Sequence, residues 1–483
     1  MLPVLALKFV FITLMLNSND MAAELQQQLE KLKHYFDSGN TRSYAYRREQ
    51  LNKLKHAIMQ YEEDLYASLQ EDLKKNREES WVTELGFLIA EVNHTLKHLR
   101  SWMQPERVAT NLLNFPSSSK IISEPLGVVL IIAPWNYPLQ LLFAPLIGAI
   151  AAGNCVVLKP SEFAPATARV MEKIVSENFT PEQILYVQGD GATIVPALMK
   201  QFRFNHVFYT GSTAIGKKIY QLAADQLVPV TLELGGKSPC VVESDANLAV
   251  AAKRITLTKF SNAGQMCVAP DYVLVQGGVR SDFVEHLKKS IQQFYSSDPA
   301  NHYNFGKIVN ERQFDRLQQF LKEGEILYGG NHNRAKLFIE PTIVEIAANK
   351  NSNSNHLLSE EIFGPILPIL SFDTFEEAKS IILRNPDPLA FYVFTSHGDK
   401  ERRWIESLPF GGGCINNASW HLTNPNLPFG GRGNSGIGSY HGRNSFDLFS
   451  HRKSIMKTPT WFDPPIKYPP FKGKLNIFKK IIR

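Results

Sequence analysis

Three side chains stand in settings suited to carbonyl chemistry. Cys267 lies in Gly264-Gln265-Met266-Cys267-Val268-Ala269-Pro270, with small or chain-breaking residues on both sides. Glu233 precedes two glycines in Leu232-Glu233-Leu234-Gly235-Gly236-Lys237, and Asn136 sits between prolines in Pro134-Trp135-Asn136-Tyr137-Pro138. A thiol can add to a carbonyl carbon. A side-chain amide can hold the oxyanion that forms, and a carboxylate can activate water against the acyl product. Each residue alone has a plainer reading. A cysteine is more often an inert buried thiol, and reactivity needs something to lower its ordinary pKa of about 8.5. A glutamate among apolar residues is either a satisfied structural carboxylate or a group whose ionisation burial disfavours. Glu361, in Glu360-Glu361-Ile362-Phe363-Gly364-Pro365, faces the same two readings. No histidine stands in a motif suited to activating the thiol. His441, in Tyr440-His441-Gly442, is the one histidine in a glycine-rich stretch.

Two further stretches bear on nucleotide binding. Tyr209-Thr210-Gly211-Ser212-Thr213-Ala214-Ile215-Gly216-Lys217 follows a strand-like run and opens a helical one, the setting in which a helix N-terminus meets a pyrophosphate. Thr213 replaces the middle glycine of the usual dinucleotide fingerprint, so an ordinary capped helix start reads equally well. Lys159-Pro160-Ser161-Glu162 ends another strand, where a lysine and a glutamate can hydrogen-bond ribose hydroxyls. Its plainer reading is a solvated strand-to-helix turn. Gly236-Lys237-Ser238 resembles the end of a phosphate-binding loop, but position 231, which that loop needs as glycine, is Thr231. A nucleotide triphosphatase is rejected on that ground.

The elements that must position these groups follow from periodicity. Residues 22–103 read as helices, with one apolar face at Leu51, Leu54, Ile58, Leu65, Leu69 and Leu73 and another at Trp81, Leu85, Leu88, Val92, Leu96 and Leu99. A charged turn near Lys74 to Glu79 separates them. From Gly127 short apolar runs alternate with helical stretches. Strands are expected at 128–133, 156–159, 185–188, 207–210 and 230–234, with helices at 166–178 and 213–224. That alternation implies a parallel, doubly wound sheet. A second α/β series follows from Gly236, with strands expected at 240–243, 272–276, 342–346 and 366–372 and helices at 283–294 and 375–383. Asn349 to Asn355 reads as a polar loop. From Leu427 to Gly438 the chain is glycine-rich and is read as a close-approach loop near a site.

Bulk properties set limits. A chain of 483 residues needs more than one core. Four cysteines occur, and the closest pair, Cys240 and Cys267, is 27 positions apart, which excludes a Cys-x-x-Cys site and fits a reducing compartment. Cys155 and Cys240 lie in apolar runs and are read as packing residues. The formal net charge of +6 is mostly the tail, where Lys472, Lys474, Lys479, Lys480 and Arg483 occur without an acid. The rest carries +1, so no nucleic-acid footprint is present. Residues 2–16 are apolar apart from Lys8 and Thr13, too short to span a bilayer and without the basic start of a signal peptide. Residues 1–20 are therefore read as an apolar leader or an upstream start-site artefact, with Met21 opening the first helix.

Pro-Trp-Asn-Tyr-Pro, Lys-Pro-Ser-Glu, Thr-Gly-Ser, Leu-Glu-Leu-Gly-Gly-Lys, Gly-Gln-x-Cys and Glu-Ile-Phe-Gly-Pro occur together and in order. In this the chain resembles the aldehyde dehydrogenase superfamily from about residue 25 to 470. Gly264–Tyr272 and Ser439–Asp447 resemble its class 3 branch of fatty and aromatic aldehyde dehydrogenases. The resemblance implies an α/β fold: a Rossmann-like parallel-sheet cofactor domain (22–104 and 127–234), an α/β catalytic domain (235–447), a small β oligomerisation arm (105–126 and 448–465) and a basic tail (466–483). It implies Cys267 as nucleophile, Asn136 with the Cys267 N–H as oxyanion donors, and Glu233 as base for the hydrolytic water. Lys159 and Glu162 would contact the adenosine ribose, Gly211 and Ser212 the pyrophosphate, and Glu361 and Phe363 the nicotinamide side.

The expected activity is NAD(P)-dependent oxidation of medium or long aliphatic or aromatic aldehydes to carboxylic acids. A carboxylate on the ribose disfavours a 2′-phosphate, so the expected cofactor is NAD, with NADP as a second choice. A homodimer in the cytoplasm is implied, joined by the 105–126 arm and a strand near 450–457. The basic, apolar tail can form a short amphipathic helix that covers the substrate entrance or touches an anionic membrane. Two other activities would use the same cysteine: a cofactor-independent thiol hydrolase or acyltransferase, and an acylating dehydrogenase that passes the thioester to CoA. Glu233 favours hydrolysis over CoA transfer.

Overall fold

The computed structural model describes residues 18–346 and 355–482. The expected leader lies outside the described residues as far as residue 17, and so does the expected polar loop over 349–354. Within them the first helix begins ahead of Met21, spanning Ser18–Asp37.

The apolar runs after Gly127 are strands Val128–Ile132, Cys155–Lys159, Ile184–Tyr186, His206–Thr210 and Val230–Glu233. All five pair in parallel, and strand 128–132 lies at the centre, between 155–159 and 206–210. The third strand ends earlier than expected. Gly189 turns the chain, and Asp190 accepts from Thr193 to cap helix Gly191–Gln201. The alternation of a pleated strand splits the sheet cleanly. Val128, Leu130 and Ile132 pack with Leu25, Leu29, Leu198 and Ile219 of flanking helices. Val129 and Ile131 face the opposite core, with Leu142, Leu146 and Met171. Both faces are covered, so these strands read as unbroken apolar runs.

Helix Pro138–Ala152 is buried at every position, as its all-round apolar sequence requires. Deleting a side chain such as Leu142 there would cost about 2–5 kcal/mol. Helices Tyr44–Gln60, Glu62–Leu73 and Gly86–Trp102 bury the leucine faces read from sequence.

The second series forms a seven-stranded sheet in the order 325–328, 342–345, 366–372, 272–276, 239–242, 390–394 and 412–415. All pairings are parallel except that of 325–328. The strands at 390–394 and 412–415 add to those expected from sequence. The glycine-rich stretch returns to the first sheet: Gly436–Ile437 pairs antiparallel with Glu233 and Leu232. A side chain could not fit at Gly431, where a Cβ would lie 2.2 Å from the Ser435 carbonyl oxygen.

Strands Glu106–Val108, Ser118–Pro125 and Ser450–Lys457 make a separate three-stranded antiparallel sheet with largely exposed faces. The tail ends in a helix at Leu475–Ile481. No helix among the described residues is long and apolar enough to cross a membrane.

Candidate active site

In the first sheet, successive strands run outward from 128–132 on one side, and the chain then returns to add 206–210 on the other. The order reverses between those two strands, and ligands of open α/β sheets bind beyond the strand C-termini at such a reversal. The residues that follow there are Ala133-Pro134-Trp135-Asn136 after one strand and Gly211-Ser212 after the other. Glu233 ends the next strand and leads through Gly235 and Gly236 into strand 239–242 of the second sheet. Cys267 precedes strand 272–276, and Glu361 and Phe363 precede 366–372. The C-terminal edge of one sheet thus meets the N-terminal edge of the other.

A cavity of about 190 Å³ opens at this junction. Cys267 and Glu233 both line it, with Tyr137, Leu141, Phe429, Tyr440 and His441 among its walls. Its mouth is marked by the exposed Val82, Leu257 and Trp420. Glu233 is 3% exposed, and neither carboxyl oxygen has a hydrogen-bond partner among the described residues. Burial pushes its pKa well above the carboxylate range. Cys267 is half-buried. Burial first, then the Glu361 and Glu233 carboxylates, push its thiol up to about 12, against the pull of the Cys267 and Val268 N–H groups. The resting site therefore favours a protonated thiol beside a protonated acid.

Asn136 is buried but does not line the cavity. Its amide donates to the Gln265 carbonyl at 3.0 Å, two residues before Cys267. Its own carbonyl accepts from Lys75 Nζ at 3.0 Å and Asn262 Nδ2 at 2.8 Å. Lys75 is paired at 2.6 Å with Glu84, both fully buried, and its ammonium lies 3.8 Å from the Tyr137 ring centroid. The other Glu84 oxygen accepts from the N–H groups of Leu139 and Gln140, capping helix 138–152. The stretch read as a charged turn is thus partly interior, because Lys75 and the neighbouring carboxylates are spent on this network. Glu79 joins it, accepting from the Asn262 N–H at 2.7 Å. Asn262 and Ala263 have φ of 49° and 52°, a left-handed kink that turns the chain toward Cys267.

Glu361 lies against the Gly235 backbone, where a Cβ would sit 1.9 Å from its Oε2. Burial, then Asp271, pushes its carboxyl up to about 8. Arg316 donates to the Glu361 and Ile362 carbonyls at 3.2 and 2.7 Å. Lys237, of the rejected phosphate-loop match, is buried and bonded to Asp271, which in turn accepts from the Ile362 N–H at 3.0 Å. Phe363, at φ 50°, meets Trp135 edge-on with ring centroids 5.4 Å apart.

Lys159 and Glu162 lie outside the cavity lining, at the C-terminal edge of the first sheet. Lys159 Nζ donates to Glu162 at 3.1 Å, and the other Glu162 oxygen accepts from the Gly191 N–H at 3.1 Å. The Gly211 N–H donates to the Glu233 carbonyl at 2.9 Å. Ser212 stands at the N-terminus of helix Thr213–Ala224 without a side-chain cap bond. A lysine, a carboxylate and two helix N-termini at one sheet edge are chemically suited to a dinucleotide, with hydroxyls and phosphates to satisfy.

Sequence reasoning missed Lys75, Glu84, Asp271, Arg316 and Tyr392. Tyr392 donates to the Val268 carbonyl at 2.6 Å, fixing the turn just after Cys267. Asp271 stands within the Gly264–Tyr272 stretch but received no role there, the other four stand in no local motif, and their partners lie up to 124 positions away.

A two-sheet α/β frame, with a thiol and an acid in one cavity beside a dinucleotide-type sheet edge, is the setting of an oxidoreductase that uses a dinucleotide. The aldehyde dehydrogenase family pattern matches residues 16–455, and the chain belongs to that family. It is 42% identical to the 4,4'-diaponeurosporen-aldehyde dehydrogenase of Staphylococcus aureus, over 95% of this chain and 99% of that one. It is 39% identical to a rat (Rattus norvegicus) aldehyde dehydrogenase named dimeric and NADP-preferring, over 94% and 99% of the two chains. The solved substrate-bound state of Staphylococcus aureus AldH superimposes with a TM-score of 0.92 at 42% identity, covering 95% of this chain and 99% of that one. The chain is therefore an aldehyde dehydrogenase, an oxidoreductase of the NAD(P)-dependent class.

Proposed function

We propose that this protein oxidises aliphatic or aromatic aldehydes to carboxylic acids with Cys267 as the nucleophile and Glu233 as the hydrolytic base. The observation that carries this is the pairing of a half-buried thiol and an unpartnered buried carboxyl in one apolar cavity. Cys267 and Glu233 each release their proton to bulk solvent, and the Cys267 thiolate adds to the aldehyde carbon. The carbonyl oxygen becomes an oxyanion, which the Cys267 N–H stabilises in a water-poor site, joined by the Asn136 amide once its Nδ2 turns from the Gln265 carbonyl toward the cavity. NAD(P), when bound, would supply the hydride acceptor; Lys159 and Glu162 would hold its ribose, Gly211 and Ser212 its pyrophosphate, and Glu361 and Phe363 would stand beside its nicotinamide. Loss of the hydride leaves a thioester on Cys267. Glu233 takes a proton from water, the hydroxide adds to the thioester carbon, and the acid leaves as the thiolate is restored.

NAD is the preferred cofactor in this reading, with NADP accepted. The Glu162 carboxylate supports NAD, and the rat relative's name supports NADP. The two sheets serve as cofactor and catalytic domains. The small antiparallel sheet joins two copies into a homodimer, and the exposed Met456 on it, with the exposed Leu112 and Phe115 in the connection between its first two strands, supports this. Four unpaired cysteines support a reducing, cytoplasmic setting. The tail helix, with Lys479 and Lys480 beside exposed Leu475 and Ile477, supports weak peripheral contact with an anionic membrane.

The test mixes purified protein with hexanal or benzaldehyde and either cofactor and follows reduced cofactor by absorbance, with Cys267→Ala alongside. Turnover that vanishes in the variant is expected; full turnover in the variant overturns the assignment.

A further inference from the structure

His441 is not used by the reaction above, yet it is among the more constrained residues of the molecule. It is 2% exposed, and neither ring nitrogen has a hydrogen-bond partner among the described residues. The Leu422 backbone makes a loose polar contact with the ring, outside ordinary hydrogen-bond geometry, that opposes the effect of burial. Burial pushes the imidazole down to about 3, so the ring is neutral in use. A buried polar group without a partner is uncommon and calls for one. The backbone at this residue is also unusual, with φ of 80° in a non-glycine residue. Three bonds hold it there: His441 N–H to Ser445 Oγ at 2.8 Å, Asn444 N–H to the His441 carbonyl at 3.0 Å, and Gly442 N–H to Glu91 Oε1 at 2.7 Å. The ring stacks on Phe429 at 5.2 Å and meets Tyr440 at 4.2 Å, so its orientation is fixed while its nitrogens stay unsatisfied. It lines the same cavity as Cys267 and Glu233.

From this we infer that His441 is a specificity residue that hydrogen-bonds a hydroxyl group carried by the aldehyde substrate, selecting hydroxylated aromatic aldehydes. The inference rests on the aldehyde dehydrogenase reading of this cavity and names its substrate class. A neutral imidazole offers one donor and one acceptor, and a hydroxyl complements it in either tautomer. The surrounding Tyr137, Phe429 and Tyr440 give flat apolar walls for a ring. No lysine or arginine is among the described lining residues, so an anionic aldehyde finds no partner there.

The test measures kcat/KM for benzaldehyde and for its three ring-hydroxylated isomers, with wild type, His441→Phe and His441→Asn. The ratio of hydroxylated to parent substrate is compared between enzymes, which cancels the intrinsic reactivity of each aldehyde. Phenylalanine keeps the stack and removes the hydrogen bond. Asparagine tolerates a left-handed φ and restores a polar group. For at least one isomer the ratio should fall about tenfold in His441→Phe, the worth of one neutral hydrogen bond, and recover in part in His441→Asn. If His441→Phe does not fold, His441→Gly, which suits the same backbone, takes its place. An unchanged ratio for every isomer, with benzaldehyde still oxidised, overturns the inference and leaves the dehydrogenase reading intact. No oxidation of any aldehyde by wild type overturns the dehydrogenase reading itself, and the inference with it.

Discussion

The side-chain amide of Asn136 donates to the backbone carbonyl of Gln265 at 3.0 Å. This bond ties the loop after the central strand of one sheet to the loop that carries Cys267 in front of the other. The two groups that the proposed chemistry needs are therefore held in one frame, although 131 positions separate Asn136 from Cys267.

If that amide stabilises an oxyanion, Asn136→Ala should lower kcat by about 10²–10³-fold, as removal of one preorganised donor does elsewhere. KM should change far less, because the charge exists only after the sulfur has added. Steady-state kinetics with benzaldehyde checks the split; a loss confined to KM would assign Asn136 to substrate binding instead.

Glu233→Gln should slow thioester hydrolysis more than oxidation. A rapid burst of about one reduced cofactor per subunit should then precede a steady rate about 10²–10⁴-fold below wild type. Stopped-flow absorbance reads both phases. A variant without a burst but with slow oxidation would place Glu233 before the thioester.

The pH profile has a definite sign. Cys267 and Glu233 must each be ionised to act, and burial raises both. The acid limb of kcat/KM should therefore lie above the free thiol's range, with activity still rising across the interval from neutrality to beyond about pH 8.5. A profile falling over that interval would mean that a protonated group, rather than these two, limits the rate.

Lys75 and Glu84 are a fully buried pair, shielded from bulk solvent. Lys75→Met leaves Glu84 buried and uncompensated, at a cost of about 3–5 kcal/mol, and should lower the melting temperature clearly. Lys75→Met/Glu84→Gln should recover much of that loss by removing both charges. Differential scanning fluorimetry of the single and double variants decides; equal melting in both would show that the pair contributes no coupling.

Glu162→Gln removes the negative charge beside the expected ribose site. The ratio of kcat/KM for NADP over NAD should rise about tenfold, since a 2′-phosphate no longer meets a carboxylate. An unchanged ratio would place nucleotide discrimination elsewhere.

Much of the fold was legible in the chain because its signals are local. Helices Thr213–Ala224 and Phe375–Leu383 and strand Ile366–Phe372 have the bounds their periodicity implies. Continuous apolar runs such as Val128–Ile132 announce a sheet covered on both faces. The stretch from Leu427 to Gly438 was readable only as a close approach, because glycine records that something lies near without saying what. The structure supplies the neighbour: Gly436 pairs with Glu233 across the sheet edge.

The sequence by itself determined which reactive groups exist, the family to which they belong, and the strands and turns that carry Cys267, Glu233 and Asn136. Tertiary structure alone decided their company. It placed Cys267 and Glu233 in one cavity, turned the Asn136 amide toward Gln265, and buried Lys75 against Glu84. It also left the His441 ring nitrogens without a well-formed hydrogen bond among the described residues. Motifs are set by short-range backbone preferences, which one stretch of chain records. Burial and hydrogen-bond satisfaction are set by neighbours up to hundreds of positions away, and no local pattern encodes them.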